Sequence, residues 1–287
     1  MENFLPHGLW TRDENHLESR LREFRKDGPE KLHLLFDYDG TMTHEWDENG
    51  NPRPTLIATL REGNYLSEEY SVAAKALAEH YKAIERDPAV DPVLKRRLMQ
   101  EWWEKHYALL IKHRLKRSDI HQAMQDSKVK IRAGMRKILE RAAAAGVPVV
   151  ILSANGLGTE SIRWHLEHNS LMSENVLIVS NDLQWDADGY LTGYKQPIIH
   201  SLNKEETVLT ALPAYARVRG RSNIIQMGDS LHDIGMAAGI AGAKVLSVGF
   251  YNYKDDERLP KYLETFDAVV KDDGEALELV EMLQGVL

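Results

Sequence analysis

The chain has no cysteine among its 287 residues. That absence excludes disulfide bonds, cysteine nucleophiles and thiolate metal sites together. No apolar run approaches the length of a membrane span, and the first residues lack the basic and then apolar pattern of a leader peptide. We therefore expect no membrane contact, and a cytoplasmic location fits these features.

A basic excess is also missing, because the formal net charge is −8 at pH 7. A general nucleic-acid-binding protein neutralises phosphates with many lysines and arginines, so we expect no nucleic-acid partner. A small anionic substrate held by a few local donors is compatible with this charge. The rest of the composition, 43% hydrophobic and 28% charged residues, is typical of one large or two smaller globular domains.

The chain changes in pattern along its length. After a predicted helix over residues 12–27 and a strand over 32–36, residues 54–125 show only helical patterns. From about residue 128, strand-like segments alternate with helical ones, as in a doubly wound parallel α/β sheet. The helical block therefore indicates a small bundle inserted into an α/β fold.

Several later elements are predicted less directly. Helices are expected over residues 203–212 and 231–238, and a hairpin turn over 184–190. The acidic segment of that turn resembles a calcium loop but lacks the downstream glutamate, so we interpret it as a turn. His165 and His168 lie three apart on a predicted helix without a third ligand nearby, and we interpret them as surface residues.

The predicted strand over residues 32–36 is followed by Asp37-Tyr38-Asp39-Gly40-Thr41. Gly40 permits a tight turn, and open α/β sheets bind ligands at the carboxyl ends of their strands. Two carboxylates there can hold a hard cation such as Mg²⁺, and one can attack a phosphoryl group. The alternative is an acidic surface turn, and this motif alone does not decide between them.

Three later loops offer groups that such chemistry needs. Ser153 opens a loop before a helix, which suits an anion, although an ordinary helix-capping serine explains it equally. Lys204 stands at the expected start of a helix, where a cation needs a nearby anion, and a solvated lysine is the alternative. Asp229 can complete an oxygen-rich metal site, with Asp233 one turn later orienting it or binding through water.

The joint order of acidic pair, hydroxyl, lysine and acidic pair resembles the four motifs of the haloacid dehalogenase superfamily of phosphohydrolases. The inserted helical block resembles the cap domain of that superfamily. From about residue 31 onward the chain is similar to the cytosolic type III (pyrimidine) 5′-nucleotidases. The segments that carry this similarity are residues 81–88, 101–103, 149–154, 203–204, 222–225, 228–230 and 249–252, with His200. Trp103 stands where the family more often has tyrosine, which leaves the base preference open.

The resemblance implies a Rossmann-like haloacid dehalogenase core at residues 1–45 and 129–287 and a helical cap at 46–128 that sets specificity. It implies Mg²⁺-dependent hydrolysis of nucleoside 5′-monophosphates, with the pyrimidine nucleotides CMP and UMP as the expected substrates. A phosphatase for a sugar phosphate or phosphoserine is the alternative. A non-catalytic binding protein on this scaffold is disfavoured, because Asp37 and Asp39 are both present.

The resemblance also implies a role for each site residue. Asp37 is the expected nucleophile, and Asp39 the acid that protonates the leaving oxygen and then activates water. The expected phosphate-binding residues are Ser153, Ala154 and Lys204, and the expected metal ligands are Asp37, the backbone carbonyl of Asp39, and Asp229. Glu85 and Trp103 are expected to face the nucleoside from the cap. We expect Trp102, one residue before Trp103 in helical phase, to pack inside the bundle instead.

Overall fold

The structure, a computed structural model, describes residues 3–4, 9–204, 216–238, 240 and 242–287. Its strands are β1 (Asn3–Phe4), β2 (Trp10–Thr11), β3 (Leu32–Phe36), β4 (Val149–Leu152), β5 (Val176–Val179), β6 (Leu183–Trp185), β7 (Leu191–Tyr194), β8 (Asn223–Gly228), β9 (Lys244–Tyr251) and β10 (Ala268–Lys271). Its α-helices are α1 (Glu14–Asp27), α2 (Leu56–Glu62), α3 (Glu68–Arg86), α4 (Pro92–Lys112), α5 (Arg117–Gln125), α6 (Met135–Ala144), α7 (Gly158–His168), α8 (Leu259–Thr265) and α9 (Leu277–Met282).

Within the described residues, eight strands form one sheet in the order β1-β2-β10-β9-β8-β3-β4-β5. The pairs from β10 to β5 are parallel, and only the edge strands β1 and β2 pair in the antiparallel sense. All five residues of β3 are buried, because elements cover both faces of this central strand. The predicted doubly wound parallel α/β fold is therefore confirmed.

The segment between β3 and β4 supplies the inserted helices. Residues 54–125, which are all described, contain α2 to α5 and no strand. Ser67 caps α3 by accepting the N–H of Tyr70, and Asp91 caps α4 just before Pro92, as those residue types do at helix starts. No helix in the described part of the chain is both long and apolar enough to cross a membrane.

Two predicted helices have different outcomes. The helix expected over 231–238 is wrong in type, because Leu231–Gly235 forms a 3₁₀ helix followed by a turn. The Asp233 carboxylate accepts the N–H of Ser230, and its carbonyl accepts the N–H of Met236, a tight three-residue spacing. The helix expected over 203–212 lies mostly outside the described residues. The hairpin turn predicted over 184–190 is confirmed between β6 and β7.

Candidate active site

The loops after three adjacent strands meet at one edge of the sheet. Asp37 follows β3, Ser153 follows β4, and Asp229 follows β8, and β3 pairs with both of the other strands. Parallel strands bring their carboxyl ends to the same edge, so the predicted residues of these loops gather there. They line a cavity of about 860 Å³ that the inserted helices border from the other side.

Lys204 is the cation of this site, and it is buried rather than solvated. Its Nζ lies 2.6 Å from Asp37 Oδ1 and 3.0 Å from Asp233 Oδ1. The loop before it is held by Asn203, whose side-chain oxygen accepts the N–H of His200 and whose amide donates to the carbonyl of Ile198. The loop therefore presents a fixed positive charge to the carboxylate that the sequence predicts as the nucleophile.

The acidic groups outnumber this lysine. Carboxylate oxygens of Asp37, Asp229 and Asp233 lie within 4.8 Å of one another. Burial raises the pKa of Asp229 well above its usual value, and the charges of Asp37 and Asp233 raise it further. Burial likewise raises the pKa of Asp37. A site of buried carboxylates with too little positive charge, made only of oxygen donors, fits a hard divalent cation such as Mg²⁺.

The position of Asp39 differs from that of the other aspartates. Its carboxylate is not part of the three-carboxylate cluster, and its Oδ1 is buried without a hydrogen-bond partner in the described residues. Burial raises the pKa of Asp39 to about 7, and the charge of Asp37 contributes to the increase. Its side chain is thus available for a proton-transfer role, whereas the predicted metal contact uses only its backbone carbonyl.

Gly40 allows the two acidic loops to approach each other. It has a φ of +74°, and a Cβ atom there would lie 2.7 Å from Asp229 Oδ2. Any other residue would therefore strain the turn and push Asp229 away from Asp37. The glycine of this motif is required by the geometry of both loops.

Ser153 and Ala154 border the cavity beside these carboxylates. Ser153 is buried and its hydroxyl accepts the N–H of Asn155, while Asn155 Oδ1 accepts the N–H of Leu157. These short-range bonds shape the loop ahead of α7, which begins at Gly158. The hydroxyl therefore lies in a loop of fixed shape, in reach of a group bound in the cavity.

Arg132 is the residue that sequence reasoning missed. Its buried guanidinium donates to the carbonyl oxygens of Gly40 at 2.7 Å and Thr41 at 2.9 Å, directly after the acidic pair. It also donates to Asn252 Oδ1 and to the carbonyl of Gly274, and pairs with Asp273 at 2.8 Å. Arg132 thus holds the loop that carries Asp37 and Asp39. A lone arginine before a helix has no sequence signal that could have indicated this role.

The inserted helices place aromatic and acidic groups on the cavity. Trp102 and Trp103 both line it, and their rings stack with centroids 5.3 Å apart and planes 1° apart. Trp102 packs inside the bundle as predicted, in a buried cluster with Tyr81 and Met99, but it also lines the cavity, because the long indoles of adjacent residues reach the same wall. Glu85 also lines the cavity and accepts a hydrogen bond from the Ser201 hydroxyl.

The expected surface position of His165 is also wrong. Its side chain is buried, and its Nδ1 lies 2.5 Å from the hydroxyl of Tyr38. Tyr38 is the residue between Asp37 and Asp39 in the sequence. Burial lowers the pKa of His165 to about 4, so the ring is neutral at pH 7. His168 is exposed, as predicted.

Comparison with known proteins gives consistent results. Residues 40–287 match the family model described as "Pyrimidine 5′-nucleotidase (UMPH-1)". A chicken (Gallus gallus) 7-methylguanosine phosphate-specific 5′-nucleotidase is 32% identical over 268 residues, which cover 93% of this chain and 90% of that protein. The crystal structure of cytosolic 5′-nucleotidase IIIB bound to cytidine has a TM-score of 0.87 and 30% identity, covering 97% and 94% of the two chains.

A more distant likeness concerns the fold alone. The crystal structure of a haloacid dehalogenase family hydrolase from Salmonella enterica serovar Typhi has a TM-score of 0.58 and 16% identity. The match covers 95% of this chain and 81% of that one. This match shows that the two chains share a fold.

Proposed function

The chain belongs to the pyrimidine 5′-nucleotidase (UMPH-1) family, and we propose that it hydrolyses pyrimidine nucleoside 5′-monophosphates through an aspartyl-phosphate on Asp37, with Mg²⁺. Its fold is that of the haloacid dehalogenase phosphatases, and it is a phosphoric monoester hydrolase acting on nucleoside monophosphates. The observation that carries the mechanistic proposal is the buried ion pair of Asp37 and Lys204, whose charged atoms lie 2.6 Å apart. Both residues line the cavity that Trp102 and Trp103 also line.

In the first step of this proposal, an oxygen of Asp37 attacks phosphorus, and the bond from phosphorus to the 5′-oxygen breaks. Asp39, whose Oδ1 has no hydrogen-bond partner in the described residues, gives a proton to the departing 5′-oxygen. It then takes a proton from the water that attacks the aspartyl-phosphate. That second step releases inorganic phosphate and restores the Asp37 carboxylate.

The phosphoryl oxygens need positive charge and donors during both steps. Lys204, the Ser153 hydroxyl and the backbone at Ala154 are the groups we assign to them. Asp37, Asp229 and the backbone carbonyl of Asp39 are the proposed Mg²⁺ ligands, with Asp233 holding Lys204 in place. The ion, when bound, offsets the negative charge shared by the carboxylates and the phosphate.

We assign residues 46–128 to a cap and residues 1–45 and 129–287 to the core. The cap residues Glu85, Trp102 and Trp103 line the same cavity as the catalytic aspartates, so a nucleoside bound there would contact both parts. Aromatic side chains in the cavity lining suit a base, and closure over the substrate would exclude bulk water. A cytoplasmic location, expected from the sequence, belongs to the same proposal.

The base preference has a second candidate. Similar proteins are named 7-methylguanosine phosphate-specific 5′-nucleotidases, and a methylated, positively charged purine also suits an indole face. The cytidine of the similar crystal structure favours the pyrimidine proposal. A sugar phosphate or phosphoserine phosphatase has less support, since neither substrate needs two indoles in a cavity of about 860 Å³.

A substrate panel tests these alternatives directly. Phosphate release would be measured with Mg²⁺ from CMP, UMP, 7-methylguanosine 5′-monophosphate, glucose 6-phosphate and phosphoserine. We expect the pyrimidine nucleotides to have the highest kcat/KM. A preference for 7-methylguanosine 5′-monophosphate would replace the pyrimidine assignment with the second candidate. A preference for glucose 6-phosphate or phosphoserine would contradict both.

A further inference from the structure

Four cations line the cavity from the inserted helices, and one of them, Lys95, donates to the carbonyl oxygens of Glu85 and Asp87. The other three form a separate group. Arg61 comes from α2, and Lys82 and Arg86 come from the last turns of α3. The side chain of Lys82 is exposed overall, but desolvation on its cavity side lowers its pKa, and the positive charges of Arg61 and Arg86 lower it further. We call these three residues the cap cation cluster.

Arg61 is the member of this cluster that needs an explanation. Its side chain belongs to a residue only 6% exposed, and in the described part of the chain it has no hydrogen-bond acceptor and no carboxylate within 4 Å. Burial lowers its pKa accordingly. Buried guanidinium groups are normally paired, because an isolated buried charge is unfavourable.

Arg132 shows what a structural arginine looks like in the same molecule. It is similarly buried, but it donates to the carbonyl oxygens of Gly40, Thr41 and Gly274 and to Asn252, and pairs with Asp273. Arg61 has none of these partners, and it faces a cavity instead of a packed core. The contrast indicates that the partner of Arg61 is a molecule that enters the cavity.

The nearby carboxylates do not neutralise the cluster. Glu45 is the acid that Lys82 and Arg86 influence, but no carboxylate oxygen of a described residue approaches either cation within 4 Å. The carboxylate of Glu85 is engaged by the Ser201 hydroxyl on the core side. Glu62 is the carboxylate whose charge acts on Arg61, but in the described part of the chain it forms no ion pair within 4 Å either. Arg61, the buried member of the cluster, therefore has no ion-pair partner among the described residues.

The scissile phosphate is not the best partner for the cluster. The main cationic influence on Asp37 and on Asp39 is Lys204, which already serves the phosphoryl site. The charge of Arg61 acts instead on cap groups, namely Lys82 and the buried ring of His106. A nucleotide with its 5′-phosphate at Asp37 would direct its nucleoside half towards the cap.

We propose that the cap cation cluster binds a second anionic group, a carboxylate or a phosphate, on the nucleoside half of the substrate. This inference rests on the proposed nucleotidase function and narrows its substrate class. Guanidinium groups pair with carboxylates and phosphates through two parallel hydrogen bonds, which suits Arg61 to either. The same cluster repels a positively charged base.

Three nucleotides that differ only in this second group provide the test. They are uridine 5′-monophosphate, orotidine 5′-monophosphate with a carboxylate on the base, and uridine 3′,5′-bisphosphate with a phosphate on the ribose. We expect at least one anion-bearing nucleotide to exceed uridine 5′-monophosphate in kcat/KM by about tenfold or more, the range of a charge-assisted hydrogen bond. The nucleotide that gains identifies whether base or ribose carries the group.

Variants then assign the effect to the cluster. The relevant ratio is kcat/KM for the preferred anion-bearing nucleotide divided by kcat/KM for uridine 5′-monophosphate. Arg61→Gln should reduce this ratio by about tenfold, and Arg61→Lys should restore part of it. Removing an unpaired buried charge should not lower Tm, so lost folding can be distinguished from lost binding. Lys75→Gln, an exposed lysine of α3 outside the cavity, is the matched control and should leave the ratio unchanged.

Three results would overturn the inference. Equal kcat/KM values for all three nucleotides would show that no second anion is recognised, while the nucleotidase function would stand. An equal loss on every nucleotide in Arg61→Gln would assign Arg61 to the scissile phosphate or to the cap fold. If none of the three nucleotides released phosphate, the proposed function and this inference would both fail.

Discussion

Lys204 Nζ lies 2.6 Å from Asp37 Oδ1, and both side chains are almost fully buried. The pair places a positive charge beside the carboxylate that we propose as the nucleophile, which must be anionic to attack phosphorus. Since Lys204 also contacts Asp233 at 3.0 Å, one ammonium group serves two acids, and Asp229 has no cation of its own within 4 Å in the described residues.

Asp37→Asn should abolish turnover without unfolding the protein. The amide has nearly the same shape but is neither an anionic nucleophile nor a good metal ligand. Tm should stay within a few degrees of the wild type, because Lys204 keeps its contact with Asp233. Phosphate release and circular dichroism measure the two effects. Activity within about tenfold of the wild type would contradict the covalent mechanism.

Mg²⁺ should raise the thermal stability as well as support activity. Binding at about one hundred times its Kd stabilises by about 2.7 kcal/mol, which corresponds to a Tm increase of roughly 5 °C for a chain of this size. Chelation should remove both effects. Asp229→Asn should lose the Mg²⁺-dependent shift, whereas Asp188→Asn, in the exposed turn between β6 and β7, should keep it. An unchanged shift in Asp229→Asn would mean that the ion binds elsewhere.

Glu85→Gln should lower kcat/KM on nucleoside monophosphates by about one to two decades, the range of a charge-assisted hydrogen bond to the nucleoside. Hydrolysis of p-nitrophenyl phosphate should change much less, because that small substrate makes no nucleoside contact. Steady-state kinetics on both substrates separates recognition from chemistry within one variant.

The hydrogen bond from Ser201 to Glu85 provides the control for this experiment. Ser201→Ala removes this hydrogen bond between the two parts of the protein and leaves the Glu85 carboxylate in place. If Glu85 reads the nucleoside, Ser201→Ala should have a small effect. Matching losses in Ser201→Ala and Glu85→Gln would instead show that Glu85 joins the cap to the core.

His106 should make the folded protein less stable in mild acid. Burial lowers its pKa to about 3, and neither ring nitrogen has a hydrogen-bond partner in the described residues. Below about pH 6.5 the unfolded chain binds a proton at His106 that the buried native ring does not bind. The contribution of the neutral ring to the stability of the folded protein is therefore complete above pH 6.5 and is lost as the pH falls towards 3. Between pH 7 and 5 this loss is about 2 kcal/mol.

Urea unfolding at the two pH values measures this contribution. His106→Phe, which removes the titrating ring, should lose about 2 kcal/mol less than the wild type over the same interval. His168→Gln is the control, since that ring is exposed. Parallel pH dependences for the wild type and His106→Phe would show that His106 takes up its proton in the native state.

The local sequence predicted the helices, the strands and the acidic loops because short-range patterns govern them. Ser67 and Asp91 cap helices through neighbours two or three residues away, and the apolar run over residues 32–36 requires burial on both faces. The same patterns predicted that Asp37, Ser153 and Asp229 lie at one edge of the sheet, because parallel strands bring their carboxyl ends together.

The errors and omissions concern contacts between distant parts of the chain. His165 is buried because Tyr38 lies beside it, although the two are 127 positions apart. Trp102 reaches the same wall as Trp103 because indoles are long, which helical phase alone does not take into account. The role of Arg132 depends on carbonyl groups that only the tertiary fold brings together.

Arg132 binds both the loop that contains Asp37 and Asp39 and residues that follow the last strand of the chain. This has a consequence for protein synthesis. Asp37 and its loop leave the ribosome early, but the carbonyl of Gly274, which the same guanidinium binds, is made 142 residues after Arg132. Asp273, the ion-pair partner, is added just before it. Nascent chains fold from the N-terminus as they emerge. A growing chain therefore carries Asp37 and Asp39 before the contacts that hold their loop can form, and a chain that stops before Asp273 lacks the ion pair that completes them.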